Sequence, residues 1–254
     1  MIFAAGLGTR LKPITDILPK ALVPVSGRPL IEHICRKLKA AGIDEAVVNV
    51  HHFADKVEEW VDGQSLMKLQ VSDERGRLLE TGGALLHARR YLEGCGSFLI
   101  HNVDILSDLD ISWFASQVSP GAVATLLVSV RKSSRQLLFD PLTMRLVGWL
   151  NCQTGQVRSP YHDLDPEKCL ALAFSGIHIM SDAVLDVLEE YAVSHGLCIS
   201  GKPPCFPIID FYLWACAHYN IYGVCAESLR LVDVGKTGSV ELAEQFLYGQ
   251  KSDV

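Results

Sequence analysis

Gly6-Leu7-Gly8-Thr9-Arg10-Leu11-Lys12-Pro13-Ile14-Thr15 follows the apolar run Ile2-Phe3-Ala4, and Pro19-Lys20-Ala21-Leu22-Val23-Pro24 comes soon after. A short strand running into glycines lets backbone N–H groups come close to an anion, because glycine carries no Cβ. Taken bare, two glycines one residue apart are no more than a strand-ending turn. A dinucleotide loop requires a third glycine where Leu11 stands, and a Walker A loop requires Gly-Lys-Ser/Thr, which is absent. Arg10 and Lys20 instead flank the loop with two cations, an arrangement suited to a triphosphate.

Working outward, strand-like and helix-like segments alternate, which predicts an α/β layer fold. Pro29 to Ala41 reads as a helix with Ile31, Ile34, Cys35 and Leu38 on one face. Glu45 to Val50 is rich in β-branched residues, as a buried parallel strand is. Ala54 to Val61 reads as a surface helix and Leu66 to Val71 as a strand. Thr81 is placed to cap a helix carrying Leu85, Ala88 and Leu92 inward. Phe98 to Ile100 is a core strand ending at Asp104. Ala122 to Val130 is another, and Leu137 to Leu150 reads as a hairpin turning at Asp140-Pro141. The polar stretch from Asn151 to Lys168 is expected to be a long mobile loop. Leu170 to Met180 resumes as a strand broken at Ser175-Gly176. Helices are expected at Ala183 to Tyr191, Ile208 to Tyr219 and Ser239 to Tyr248, with strands at Ile221 to Cys225 and before Asp233.

The full arrangement Gly6-x-Gly8-Thr9-Arg10-Leu11-x-Pro13-x-Thr15, then Pro19-Lys20-x-Leu22-x-Pro24-Val25-x-Gly27-x-Pro29-Leu30, resembles the signature of the sugar-1-phosphate nucleotidyltransferases. The resemblance implies a Rossmann-like α/β domain with a mixed, mostly parallel sheet flanked by helices. It implies one domain over residues 1–254, its nucleotide-binding part at about 1–104 and its sugar-binding part at about 105–248. It also implies that Ala4, Ala5, Gly6, Gly8, Thr9 and Arg10 cradle the triphosphate, and that Arg10 and Lys20 serve catalysis. Relatives carry a few more residues before the loop than Met1 to Ala5, so Met1 is expected to be an internal methionine or the natural start to lie slightly upstream.

Asp104 and Asp233 each follow a strand, where ligands of open α/β sheets bind. Either could cap a helix or sit in a loop. The pair resembles the family's two metal-binding aspartates, which implies Mg²⁺ as cofactor. Leu231 stands where the family usually has Trp, and Lys236 where it often has Thr. Glu80-Thr81-Gly82-Gly83 resembles the base- and ribose-facing segment, which implies nucleotide contacts by Glu80, Gly82, Gly83 and Asp104. Phe174-Ser175-Gly176-Ile177 resembles the element whose glycine meets the sugar, although a β-bulge accounts for the same residues. Asn49 and His51 end a core strand and are expected to take a minor sugar-side role. His52 beside His51 invites a zinc reading, but no third ligand is spaced to support one. Asp210, in an apolar helix, could reach the site or satisfy a buried partner.

Within the family the combination is most similar to uridylyltransferases acting on N-acetylmuramate 1-phosphate, which serve cell-wall sugar recycling. Mannose- and heptose-1-phosphate guanylyltransferases are near neighbours. The expected partners are therefore a nucleoside triphosphate and a sugar 1-phosphate. A dinucleotide-dependent oxidoreductase and a nucleotide-sugar sensor that binds without turnover are readings from other classes. The net charge of −6 argues against a nucleic-acid polymer as partner. No apolar run reaches the roughly 18 residues of a membrane span. With no basic leader at Met1, the chain is expected to be cytoplasmic. Its eight cysteines, none in a C-x-x-C pair, are expected to be reduced and mostly buried. Oligomeric state is open, since the apolar helix from Ile208 could be core or interface.

Overall fold

The computed structural model describes residues 1–236 and 238–252. Along the chain run β1 (Ile2–Phe3), β2 (Pro24–Val25), β3 (Arg28–Pro29), α1 (Leu30–Ala40), β4 (Glu45–Val50), α2 (Ala54–Gly63) and β5 (Lys68–Asp73). Next come α3 (Glu80–His87), α4 (Arg89–Leu92), β6 (Ser97–Asn102), β7 (Ile105–Ser107), α5 (Ile111–Ser116), β8 (Ala124–Ser129), β9 (Arg135–Phe139) and β10 (Leu146–Asn151). The remainder forms β11 (Val157–Arg158), β12 (Leu170–Ser181), α6 (Val184–Ser194), α7 (Ile208–Ala215), β13 (Ile221–Cys225), β14 (Leu231–Asp233) and α8 (Ser239–Ser252). The α/β class expected from the sequence holds, as a mixed sheet flanked by helices.

Two compact units interleave in the sequence. The first comprises Met1–Leu78, His101–Ser112 and Leu229–Val254. The second comprises Leu79–Ile100 and Trp113–Ser228.

In the first unit β4 is central, parallel to β1 on one side and β5 on the other. Ala46 to Val50 are all buried, so the strand reads as a continuous apolar run rather than an alternating one. On its other edge β1 pairs in parallel with the end of β6, Ile2 beside His101 and Phe3 beside Asn102. Helix α1 buries Leu30, Ile31, Ile34, Cys35 and Leu38, one face at helical spacing. It stops where Gly42 turns to φ +80°, with Gly42 N–H donating to Lys39 O at 3.0 Å and Ile43 N–H to Leu38 O at 3.0 Å. That paired termination requires a residue that tolerates the left-handed conformation.

The second unit is mainly antiparallel: β9 pairs with β10 and β12, and β8 with β12, while β13 joins β8 in parallel. Strand β12 slips register against β8 between Phe174 and His178, with Gly176 at φ +72°. This is the expected break at Ser175-Gly176, realised as a bulge. The hairpin turn at Asp140 is also present, its Oδ1 accepting from the N–H of Thr143 at 2.8 Å.

Four expectations are corrected. The stretch from Asn151 to Lys168 is not wholly loop, because β11 pairs with β10 and Pro166–Lys168 form a 3₁₀ turn. The helix from Ile208 ends at Ala215, earlier than expected. Strand β5 lies two residues later than its apolar pattern suggested. None of the eight cysteines is in a disulfide, but only Cys35 and Cys216 are buried.

His101, at the end of β6, has no solvent exposure. Its Nδ1 lies 2.8 Å from Asn102 O, and its Nε2 has no partner. Burial pushes the imidazole down to about 4, against a smaller upward pull from the Asn102 carbonyl. The folded pKa lies below the unfolded value, so between pH 6.5 and about 4 only the unfolded chain takes up the proton. Stability should therefore fall across that window by about 3 kcal/mol from this residue. Urea denaturation at several pH values should show a shallower fall for His101→Leu than for the native chain. Parallel profiles would refute it.

Candidate functional site

The loop after β1 is anchored at its root. Ala4 and Ala5 are buried, and the Ala4 N–H donates to Asn49 Oδ1 at 2.8 Å. The other end of the Asn49 amide donates to Glu74 Oε1 at 2.9 Å. Glu74 is itself 3% exposed, and its carbonyl lies 2.7 Å from His51 Nδ1. Asn49 is thus enclosed by the chain, with both ends of its amide hydrogen-bonded, and His51 lies beside the same network.

Beyond the root, Gly6, Thr9 and Arg10 are exposed, and Gly8 adopts φ +62°. A Cβ at Gly8 would lie 2.8 Å from Thr15 Cγ2, so both conformation and space require glycine there. Between Gly6 and Lys20 the buried residues are Leu11, Thr15 and Pro19.

Lys20 opens a 3₁₀ turn after Pro19. Its ammonium donates to the Asp104 carboxylate, with side-chain exposures of only 11% and 17%. Asp104 lies in the turn between β6 and β7. Strand β7 pairs with β14, placing Asp233 opposite Ile105, and the Val234 N–H donates to Asp104 O at 2.8 Å. The two aspartates therefore stand at adjacent positions of one small ladder. A Cβ on Gly235 would lie 2.4 Å from Asp233 Oδ1 and 3.0 Å from Arg10 Nη2. Glycine at 235 thus leaves the space on which the Asp233 carboxylate and the Arg10 guanidinium converge. The first unit brings together the glycine loop, two cations and two carboxylates.

Among the described residues no cluster of three or more His, Cys, Asp or Glu side chains could hold a metal ion. Two hard carboxylate oxygen donors nevertheless fit Mg²⁺, which usually takes one or two carboxylates and completes its shell with substrate phosphates and water.

The second unit holds the other expected site residues. Thr81 lies inside α3 rather than at its cap, and its hydroxyl accepts from the Ile208 N–H at 2.9 Å, at the start of α7. Glu80 is exposed and held at φ +61°, a strained conformation for a residue with a side chain. The N–H groups of Gly82 and Gly83 lie 2.9 and 3.2 Å from Phe206 O. A Cβ would lie 2.3 Å from the Phe206 ring at Gly82 and 2.3 Å from Pro204 O at Gly83. Their missing side chains are thus used by contact with residues 204–206. Ser175 is buried with its hydroxyl unpartnered, beside Gly176 in the bulge. Asp210 pairs with Arg158 at 2.7 Å on the surface of this unit. A cavity of about 210 Å³, with Trp149 and Phe174 in its walls and Arg135 and Gln136 on its lining, lies in the same unit. Sequence reading singled out none of its residues but Phe174, because no motif or spacing marks the others.

Residues 1–136 match the model of the nucleotidyl transferase family, more than half of the chain. The chain belongs to that family. Over 108 residues it is 46% identical to the N-acetylmuramate alpha-1-phosphate uridylyltransferase of Caulobacter vibrioides, covering 41% of this chain and 44% of that protein. Over 115 residues it is 41% identical to the enzyme of the same name from Neisseria meningitidis serogroup B, covering 44% and 49%. The matched segment thus spans less than half the length of these curated relatives. HddC from Yersinia pseudotuberculosis has the same fold, with a TM-score of 0.72 at 19% identity over 97% of each chain. The family match includes the loop, Lys20 and Asp104, whereas Asp233 lies beyond it.

The packing at Gly83 is testable. Gly83→Ala sets a methyl against backbone, which cannot rotate away, and overpacking of this kind costs roughly 1–3 kcal/mol. A urea denaturation midpoint lowered accordingly is expected. If Gly83 served only to clear room for a base, the midpoint would hold and nucleotide affinity alone would fall.

Proposed function

We propose that the chain transfers a nucleotidyl group from a nucleoside triphosphate to a sugar 1-phosphate, releasing pyrophosphate. Uridylyl transfer to N-acetylmuramate 1-phosphate is the substrate pair the relatives favour. The observation that carries the reaction class is the pairing of Lys20 with Asp104, 84 residues apart, beside a glycine loop.

The chemistry is an in-line displacement at the α-phosphorus. An oxygen of the sugar phosphate attacks and pyrophosphate leaves. That nucleophile is already anionic at neutral pH, so no catalytic base is required. The barrier lies in bringing two polyanions together, and positioning with charge neutralisation is what lowers it. Asp104 and Asp233 are the residues that would hold Mg²⁺, which supplies charge neutralisation on the phosphates when bound. Arg10 would offset charge on the leaving pyrophosphate, and Lys20 charge on the reacting phosphate.

The Lys20 ammonium pairs with the Asp104 carboxylate. In this reading the Lys20 ammonium would turn to the substrate phosphate, and the Asp104 carboxylate would be among the residues that hold the metal. Neither group is left buried without a counter-charge, which would be costly. The bulge at Ser175-Gly176 is offered as a sugar contact, and Glu80 as a nucleotide contact.

A matrix of nucleoside triphosphates against sugar 1-phosphates with Mg²⁺, read by pyrophosphate release, tests the assignment. UTP with N-acetylmuramate 1-phosphate should give the fastest release. Binding without release anywhere in the matrix would favour a sensor and refute catalysis. Lys20→Ala and Asp104→Ala should each lower turnover by roughly 10²–10³, the usual cost of one preorganised electrostatic group. Circular dichroism should show both folded, and near-native turnover by either would sink the catalytic roles of Lys20 and Asp104.

A further inference from the structure

Thr15 is the one polar residue among those buried between Gly6 and Lys20, at 3% exposed. Its hydroxyl donates to the Gly8 carbonyl at 2.8 Å. The same carbonyl accepts from the Leu11 N–H at 2.8 Å, so both of its lone pairs are used. The Thr15 methyl also fills the space a Cβ on Gly8 would need. A buried hydroxyl has to find an acceptor, and here that acceptor is the backbone of the glycine loop seven residues earlier.

The consequence follows from peptide geometry. The Gly8 C=O and the Thr9 N–H belong to one planar trans unit and point in opposite directions. Holding the carbonyl inward turns the Thr9 N–H outward, on the exposed side of the loop. Gly8, in the left-handed region and lacking a side chain, has the backbone freedom to let that plane rotate if the hydroxyl were absent. We propose that Thr15 is a positioning residue for phosphate binding, fixing the Gly8–Thr9 peptide so that its N–H faces the triphosphate. The proposal rests on the reading of this loop as the triphosphate site.

Calorimetric titration with UTP and Mg²⁺, and separately with inorganic tripolyphosphate, tests it. Thr15→Val keeps the shape and removes the hydroxyl. It should raise the Kd for both probes about five- to tenfold, the worth of one hydrogen bond. Thr15→Ser should restore the Kd to within about threefold of native. A purely structural role would lower the melting temperature and the binding-competent fraction but leave the Kd of that fraction unchanged. Native Kd values in folded Thr15→Val overturn the proposal. If that variant does not fold, Thr15→Ser and Thr15→Ala, which differ only by the hydroxyl, decide it, and equal Kd values would overturn it. If the native chain binds neither probe, the site reading itself fails, and this inference with it.

Discussion

The contact between Lys20 and Asp104 joins the loop that follows β1 to the turn that follows β6. Two mostly buried charges tolerate each other's company only as a pair, since either one alone would lose hydration without compensation. The contact therefore constrains the backbone on both sides. It requires β1 and β6 to be neighbours, which the parallel pairing of Ile2 with His101 and Phe3 with Asn102 provides. It also requires the chain between Gly6 and Lys20 to fold back, which Leu11, Thr15 and Pro19 accomplish by turning inward at every fourth position. The charged side chains of that segment then face outward or toward Asp104.

The second carboxylate depends on a different device. Strand β7 is only three residues long, and it pairs with β14. That ladder is what draws Asp233 alongside Asp104, although they stand far apart in sequence. Gly235 then leaves open the space into which Arg10 and Asp233 reach. A larger residue would push the guanidinium or the carboxylate away. The glycine of Val232-Asp233-Val234-Gly235 thus has a steric reason, one that can be stated without reference to any ligand.

Much of the fold was legible because its signals are local. The helical spacing of Ile31, Ile34, Cys35 and Leu38, and the β-branched run from Glu45 to Val50, each arise within a short stretch of chain. The hairpin at Asp140 announces itself by its turn. In the first unit the glycine loop, Lys20, Asp104 and Asp233 lie close together. What was not legible depends on distant parts of the chain. Strand β11 exists because β10 offers it an edge, and nothing in Val157-Arg158 says so. Thr81 has the chemistry of a helix cap, but it serves the first N–H of α7, 127 residues away. Gly82 and Gly83 look like clearance for a ligand, but the nearest atoms belong to Phe206 and Pro204. Asp210, undecided from sequence, pairs with Arg158 from the stretch that looked like open loop.

Asn49 is where local reading and three-dimensional context diverge most usefully. An amide at the end of a central strand looks like a ligand contact, because strand ends are where ligands bind in such sheets. Its oxygen, however, accepts from Ala4 and its nitrogen donates to a buried carboxylate. A buried polar group is costly unless hydrogen-bonded, and the bond to Glu74 holds the amide in one orientation. That orientation presents an acceptor to the backbone N–H of Ala4, just ahead of the glycines. Asn49 and Thr15 therefore act on the two ends of the same loop, one on the N–H of Ala4 and the other on the carbonyl of Gly8. With both ends fixed by buried side chains, the flexible backbone between them samples fewer conformations, and less ordering remains to be done when an anion binds.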